Sequence, residues 1–284
     1  MKQTMLTLFT PLLALLLCGT ACSSDDSNAG TPNPTPTPPA PQPTSYDIYT
    51  AGYKRVDSKA AATVWKNGSV LYTYSVTPAS SQARTLLLAG SDLYAAGNLL
   101  TGGTQQVGQI WLNGDAYETL TDGTTPGDVR GLFLAGGTLY AAGSKGEEAV
   151  VWKNGKLLYT LTDGSSSAEA MSLWMTDGEL YTVGYYTKPD FEEQGVVWKN
   201  GTQLYTLSDG TSSGSMPYAV AAWGDDLFTA GTLFGSSRHA AVWKGSDLLY
   251  TLGRGEAYAM YVVPHYESDE TTGAEDSGDT SGNN

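Results

Sequence analysis

An all-β chain arranged as a five-bladed β-propeller of four-stranded antiparallel blades is the architecture this sequence predicts, and three observations carry it. A Leu-Tyr-Ala-Ala-Gly-like run, then Val-Trp-Lys-Asn-Gly, then Leu-Tyr-Thr-Leu recurs five times. Its Trp copies are Trp65, Trp111, Trp152, Trp198 and Trp243, at spacings of 46, 41, 46 and 45 residues, a period that marks stacked sheet units. Second, Asn67-Gly68, Asn113-Gly114, Asn154-Gly155 and Asn200-Gly201 each separate two short apolar runs; Asn-Gly supplies the two positive-φ residues of a tight hairpin. Third, the array opens at Tyr46 on a second-strand motif and ends on a surplus first strand, residues 257–263. The surplus strand is expected to pair beside residues 46–53 and complete the first blade, because ring closure removes exposed sheet edges.

Taken from the N-terminus, Lys2 precedes an apolar run over residues 5–17, and Gly19-Thr20-Ala21 leads into Cys22. The run is shorter than the about 20 residues a membrane span needs, so residues 1–21 read as an export signal peptide. The small residues ahead of Cys22 resemble a bacterial lipobox. That resemblance implies that Cys22 becomes the first mature residue and carries acyl chains such as palmitate, while Cys18, behind the bulky Leu17, leaves with the leader. Two or more acyl chains make a stable anchor, so the expected partner at this end is the membrane. The implied place is the bacterial cell envelope, as an outer-membrane lipoprotein. Ser23-Ser24-Asp25-Asp26 is similar to the acidic tag that sends some lipoproteins to the cell surface.

Residues 22–45 form a linker with proline at 32, 34, 36, 38, 39, 41 and 43. At about 3.1 Å per residue in the polyproline conformation it spans up to about 70 Å. Residues 46–266 form the propeller, and both cysteines precede it, so its apolar core alone must hold it. A chain of this size can bury roughly three quarters of its surface. Residues 267–284 hold six acids and no base and are expected to be disordered. Half of the net charge of −14 falls outside the domain, which keeps 21 acids against 14 bases. A mildly acidic domain without a basic stripe argues against nucleic acid.

Within the copy that carries Trp198, the four strands are expected at 168–175, 179–185, 196–199 and 203–207. The last copy has Lys244-Gly245-Ser246-Asp247 in place of Asn-Gly, which predicts a longer turn. Leu139-Tyr140-Ala141-Ala142-Gly143, Val150-Val151-Trp152-Lys153 and the run from Gly155 to Leu161 resemble the last three strands of a WD40-type blade, with Lys where that family has Asp after Trp. Five copies of this length are also similar to the tachylectin type of five-bladed lectin propeller, in blade count and period. The repeated Trp residues, and the in-phase Tyr49, Tyr94, Tyr140, Tyr181 and Phe228, are expected in the core rather than on a sugar.

Length variation is confined to connections on one face, at 98–108, 144–148, 185–195 and 232–238, joined by the Asp-Gly loops after Asp122, Asp163 and Asp209. Such loops on a rigid scaffold are where binding resides. Aligning the first strands gives a column expected near the channel mouth on that face: Arg84, Arg130, Met171, Tyr218 and Tyr258. Two guanidinium groups and two phenols can hold a sugar ring or a carboxylated ligand; equally, long side chains can simply cover the channel end. The three loop aspartates fit turn chemistry better than calcium ligation, and no metal or cofactor is expected. Catalysis finds little support. His239 and His265 lack patterned partners, and Asp128, Glu169 and Glu256 stand only where first strands begin, although a glycosidase would use such carboxylates. The expected function is a lipid-anchored, non-catalytic binding module for glycan or polysaccharide fragments. The alternatives are a platform for another envelope protein and a glycoside-active enzyme.

Overall fold

Short runs of Val, Ala, Leu, Thr and Tyr broken by Gly-containing turns fold as antiparallel hairpins, and a computed structural model arranges them in five successive meanders. It describes residues 45, 47–74, 80–101 and 105–263; the expected signal peptide, Cys22, most of the expected linker, His265 and the acidic tail lie outside the described residues. The first sheet is β1 (Tyr49–Val56), β2 (Lys59–Lys66) and β3 (Ser69–Thr73). The second is β4 (Ser81–Ala89), β5 (Asp92–Thr101), β6 (Gln105–Leu112) and β7 (Asp115–Thr119). The third is β8 (Gly127–Ala135), β9 (Thr138–Lys145), β10 (Glu148–Lys153) and β11 (Lys156–Thr160). The fourth is β12 (Ala168–Thr176), β13 (Glu179–Thr187), β14 (Glu193–Lys199) and β15 (Thr202–Thr206). The fifth is β16 (Gly214–Trp223), β17 (Asp226–Phe234), β18 (His239–Lys244) and β19 (Asp247–Arg254). The first strands β1, β4, β8, β12 and β16 do not play identical parts: β4, β8, β12 and β16 are the innermost strands and pack in succession, whereas β1 corresponds to the second strand of the other sheets.

The repeated Trp residues lie in the interfaces between consecutive sheets. Trp152 and Val150 pack on Ala96 and Ile110 of the second sheet, Trp198 on Ala142 and Val151 of the third, and Trp243 on Val183 and Val197 of the fourth. Trp111 stacks on Tyr74 with centroids 4.6 Å apart. These four rings are between 0% and 4% exposed, whereas Trp65, which has no preceding sheet against it, is only half-buried.

Each Asn-Gly turn does more than reverse the chain. Asn67, Asn113, Asn154 and Asn200 take φ between 46° and 51° with a positive-φ Gly after each, and the Asn Oδ1 accepts from the backbone N–H of Ile48, Leu93, Leu139 and Leu180 respectively. The glycine leaves room for the previous sheet: a Cβ on Gly201 would lie 2.5 Å from the Tyr159 ring, and one on Gly114 2.7 Å from Tyr72. The Lys after Trp also finds its place. Lys66, Lys153 and Lys199 sit 5.3, 5.7 and 5.5 Å from the ring centres of Tyr49, Tyr140 and Tyr181, and Lys66 pairs with Asp47 at 2.9 Å. Asn200→Ala is expected to remove the bond to Leu180 and cost about 1 kcal/mol, measured by urea unfolding.

One expectation needs correction, and another is met only in part. The last copy has no longer turn: Lys244 pairs directly with Asp247, because Gly245 at φ 58° takes the left-handed position that Asn fills elsewhere. Residues 257–263 are not in a strand, and the first sheet has three strands, not four. Instead, the start of this segment is held by the fifth sheet, where Gly255 N–H donates to Arg238 O and Ala257 N–H to Gly231 O.

Candidate functional site

The column of Arg84, Arg130, Met171 and Tyr218 proves to have a common backbone cause. Each is the extra, unpaired residue of a β-bulge in an innermost strand: the ladder skips from Ala83 to Thr85, Val129 to Gly131, Ala170 to Ser172 and Pro217 to Ala219. A bulge re-aims its side chain, and four bulges at the same height aim four side chains alike. Opposite each bulge stands the Gly of the Leu-Tyr-Ala-Ala-Gly motif. A Cβ on Gly97, Gly143 or Gly184 would lie 2.0 Å from the carbonyl oxygen of Gln82, Asp128 or Glu169, and one on Gly231 2.3 Å from that of Met216. The in-phase glycine was the sequence signal for the bulge; only the ladder reveals its meaning.

The sheets bring these residues into one charged chain. Arg130 Nε donates to Glu169 Oε1 at 2.8 Å, and its Nη2 lies 3.4 Å from Asp128 Oδ2. The same Asp128 oxygen lies 3.4 Å from Arg84 Nε, and Asp128 Oδ1 accepts from the Val129 N–H at 2.9 Å. Asp128 and Glu169 are only 3% and 8% exposed. Both carboxylates are the second residues of β8 and β12, where those strands begin as expected, and face Ser144 and Tyr185 in the ladders. Burial raises the Glu169 carboxyl above its ordinary range against the pull of Arg130. Burial opposes the charge on Arg130, yet the attraction of Glu169 and Asp128 outweighs it and raises the guanidinium.

The chain continues through phenols. Tyr185, the residue after Gly184, lies near Glu169 and Arg130 and is pushed up to about 12 by burial and the Glu169 charge; no pattern marks its slot, which holds Tyr53, Asn98, Ser144 and Thr232 in the other copies. Tyr218 is likewise pushed up to about 12, by burial and then by Glu256. Its ring centre lies 4.9 Å from that of Tyr258. The Tyr258 hydroxyl donates to Glu256, whose other oxygen is 2.5 Å from Arg238 Nη1. Hydrogen bonds from Tyr258 and Arg238 hold the Glu256 carboxyl below its ordinary value. Met171 alone contributes no polar contact.

Charge is balanced along the inner part, with Arg84 and Arg130 set against Asp128 and Glu169. An anion would therefore meet guanidinium groups already neutralised, which favours an uncharged, hydrogen-bonding ligand over the carboxylated one. Asp122, Asp163 and Asp209 act in turns, as expected: their Oδ1 atoms accept from the N–H of Thr124, Ser165 and Thr211 at 2.9, 3.0 and 2.8 Å. Among the described residues no group of three His, Cys, Asp or Glu side chains is placed to hold a metal ion.

No family model matches the chain, and no curated protein matches it. Among solved structures it is similar to Drosophila Semaphorin 1b, extracellular domains 1-2, at 8% identity and a TM-score of 0.38, over 70% of this chain and 52% of that one. The chain thus spans about half the length of that structure.

Proposed function

We propose that the chain is a non-catalytic binding module of the bacterial envelope, tethered through lipid on Cys22, that holds neutral glycan fragments at the rim formed by the bulge column. The observation that carries this reading is the placement of Arg84, Arg130 and Tyr218 on the equivalent bulges of the second, third and fifth sheets, with Tyr258 beside Tyr218. Phenol faces stack on sugar C–H surfaces, and guanidinium N–H groups not used by carboxylates donate to hydroxyls. Arg130 is a poor probe, since its removal leaves the buried Glu169 carboxylate without its guanidinium at a cost of about 3–5 kcal/mol. Tyr218→Phe and Tyr258→Ala are better. Either is expected to weaken binding on a glycan array at least fivefold without lowering the melting temperature; unchanged binding would sink the rim.

A specific observation also favours a protein platform. The outer strands leave Val70, Tyr117, Leu157, Leu204 and Leu249 exposed, an apolar belt suited to another envelope protein. Cross-linking of one defined partner in intact membranes, with a silent glycan array, selects that reading. Hydrolysis has weaker support because Asp128 and Glu169 are both committed to guanidinium groups.

The finer architecture we propose is a ring sealed by residues 256–263 along β1. Aligning Tyr258 with Tyr218 sets Ala257 opposite Gly52 and Met260 opposite Thr50, with the Glu256 carbonyl over Gly52. Two features support this. Gly52 occupies the motif slot of Gly97, Gly143, Gly184 and Gly231 yet has no carbonyl against it, its nearest neighbour being Trp65 at 3.4 Å. Trp65 is also the one repeated Trp without a packed sheet face.

A further inference from the structure

Away from the rim, a cleft of about 970 Å³ lies between the loop after β11 and the loop joining β13 to β14, lined by Asp163, Ser166, Ser167, Tyr186, Phe191 and Gln203 among others. Its outstanding feature is Phe191, 87% exposed and held at φ 66°. A bulky residue in the left-handed region is strained and persists only where its surroundings impose it. Here they do. Lys188 N–H donates to Glu192 O at 2.8 Å and Phe191 N–H to Lys188 O at 2.9 Å, closing the loop on itself. Lys188 Nζ donates to Ser213 O at 2.6 Å, and the Ser213 hydroxyl donates to Glu192 Oε2 at 3.0 Å, fastening the loop to the fifth sheet. The result is an aromatic face fixed in water with no protein ring against it.

Around that face stand polar groups without protein partners. The hydroxyls of Ser166, Ser167 and Tyr186 and the carboxamide of Gln203 make no side-chain hydrogen bond among the described residues. Asp163 spends Oδ1 on Ser165, through N–H at 3.0 Å and hydroxyl at 2.6 Å, and keeps Oδ2 free. The Ser165 hydroxyl and N–H hold this carboxyl below its ordinary value, so it stays ionised as a strong acceptor for a diol. The one cation of the lining, Lys188, is taken by Ser213 O and by Asp190 at 3.6 Å.

We infer that this cleft is a second binding site, for a single neutral pyranose that stacks on Phe191 and offers its hydroxyls to Asp163, Ser166, Ser167, Tyr186 and Gln203. A free carboxylate beside a committed lysine disfavours sugar acids. The site shares the glycan class of the proposed function but none of the rim's residues, so the two readings fail separately. The test is saturation-transfer NMR on the full chain with methyl glucoside, methyl galactoside and N-acetylglucosamine, and glucuronate as the acidic counterpart. Expected, in a Tyr258→Ala chain whose rim is disabled, is transfer to at least one neutral sugar, at least fivefold weaker affinity when Phe191→Ala is added, and retention with Phe191→Tyr. Phe191 is nearly all exposed, so its truncation leaves the core intact. In that background, no transfer to any neutral sugar, equal affinity with and without Phe191→Ala, or preference for glucuronate would each overturn the inference.

Discussion

Gly143→Ala is expected to destabilise the protein by about 3 kcal/mol, near the upper end of what overpacking costs, and to lower the melting temperature by roughly 10 °C for a domain of this size. A Cβ there lies 2.0 Å from the Asp128 carbonyl oxygen, 2.9 Å from its carbon and 3.0 Å from Val129 Cα. All three are backbone atoms of a strand wedged between two sheets, so neither partner can step aside. Relief requires undoing the bulge at Arg130. Because side chains alternate along a strand, that would turn the Arg130 guanidinium away from Glu169 and leave a buried carboxylate unpaired. Gly235→Ala is the control: its nearest neighbour is the Ser237 carbonyl oxygen at 4.0 Å, and its expected effect is within about 0.5 kcal/mol. Equal melting of the two variants would show that the close approach at Gly143 costs nothing.

Gly52→Ala carries the second large effect, and it reads out ring closure. With residues 256–263 on β1 in the proposed register, Gly52 faces the Glu256 carbonyl as Gly143 faces that of Asp128, and the alanine should cost a comparable about 3 kcal/mol. In an open arc its Cβ meets only Trp65 Cζ3 at 3.4 Å, an ordinary contact. A chain ending at Gly255 supplies the other half of the cycle. Truncation should itself lower stability by several kcal/mol, since large side chains contribute about 1.5–3 kcal/mol each when fully buried, and Tyr261 and Val263 otherwise stay exposed. In the truncated chain, Gly52→Ala should become nearly neutral. This non-additivity separates a direct clash from general damage; a neutral Gly52→Ala in the intact chain would refute closure. A Thr50→Cys, Met260→Cys pair checks the register, because a bridge forms only for Cα atoms within about 7 Å and residues 46–266 hold no other cysteine.

Strands and turns were legible because their causes are local. Asn200-Gly201 carries its own turn, and the strands placed at 168–175 and 179–185 fall within Ala168–Thr176 and Glu179–Thr187. The column was legible too, since in-phase residues of a repeat occupy equivalent places. Its chemistry was not. Asp128 and Glu169 stand where first strands begin, as the pattern indicates; what no pattern expresses is that each lies beside a guanidinium of the preceding sheet. Phe191 lies in the loop 185–195 that its length singles out, but as one apolar residue in a polar loop it carries no pattern of its own.

By itself the sequence determined the repeat unit, the buried Trp series, the hairpin turns and the face on which the loops vary, all of which depend on residues within one or two strands of each other. Only the tertiary structure decided that Arg130 pairs with Glu169, 39 residues away, that Tyr185 joins the rim, and that Phe191 stands over a cleft between two sheets. Those contacts depend on how one sheet is rotated against the next and where its bulge falls. Both are fixed by backbone atoms approaching a glycine, a distance no pattern of side chains expresses.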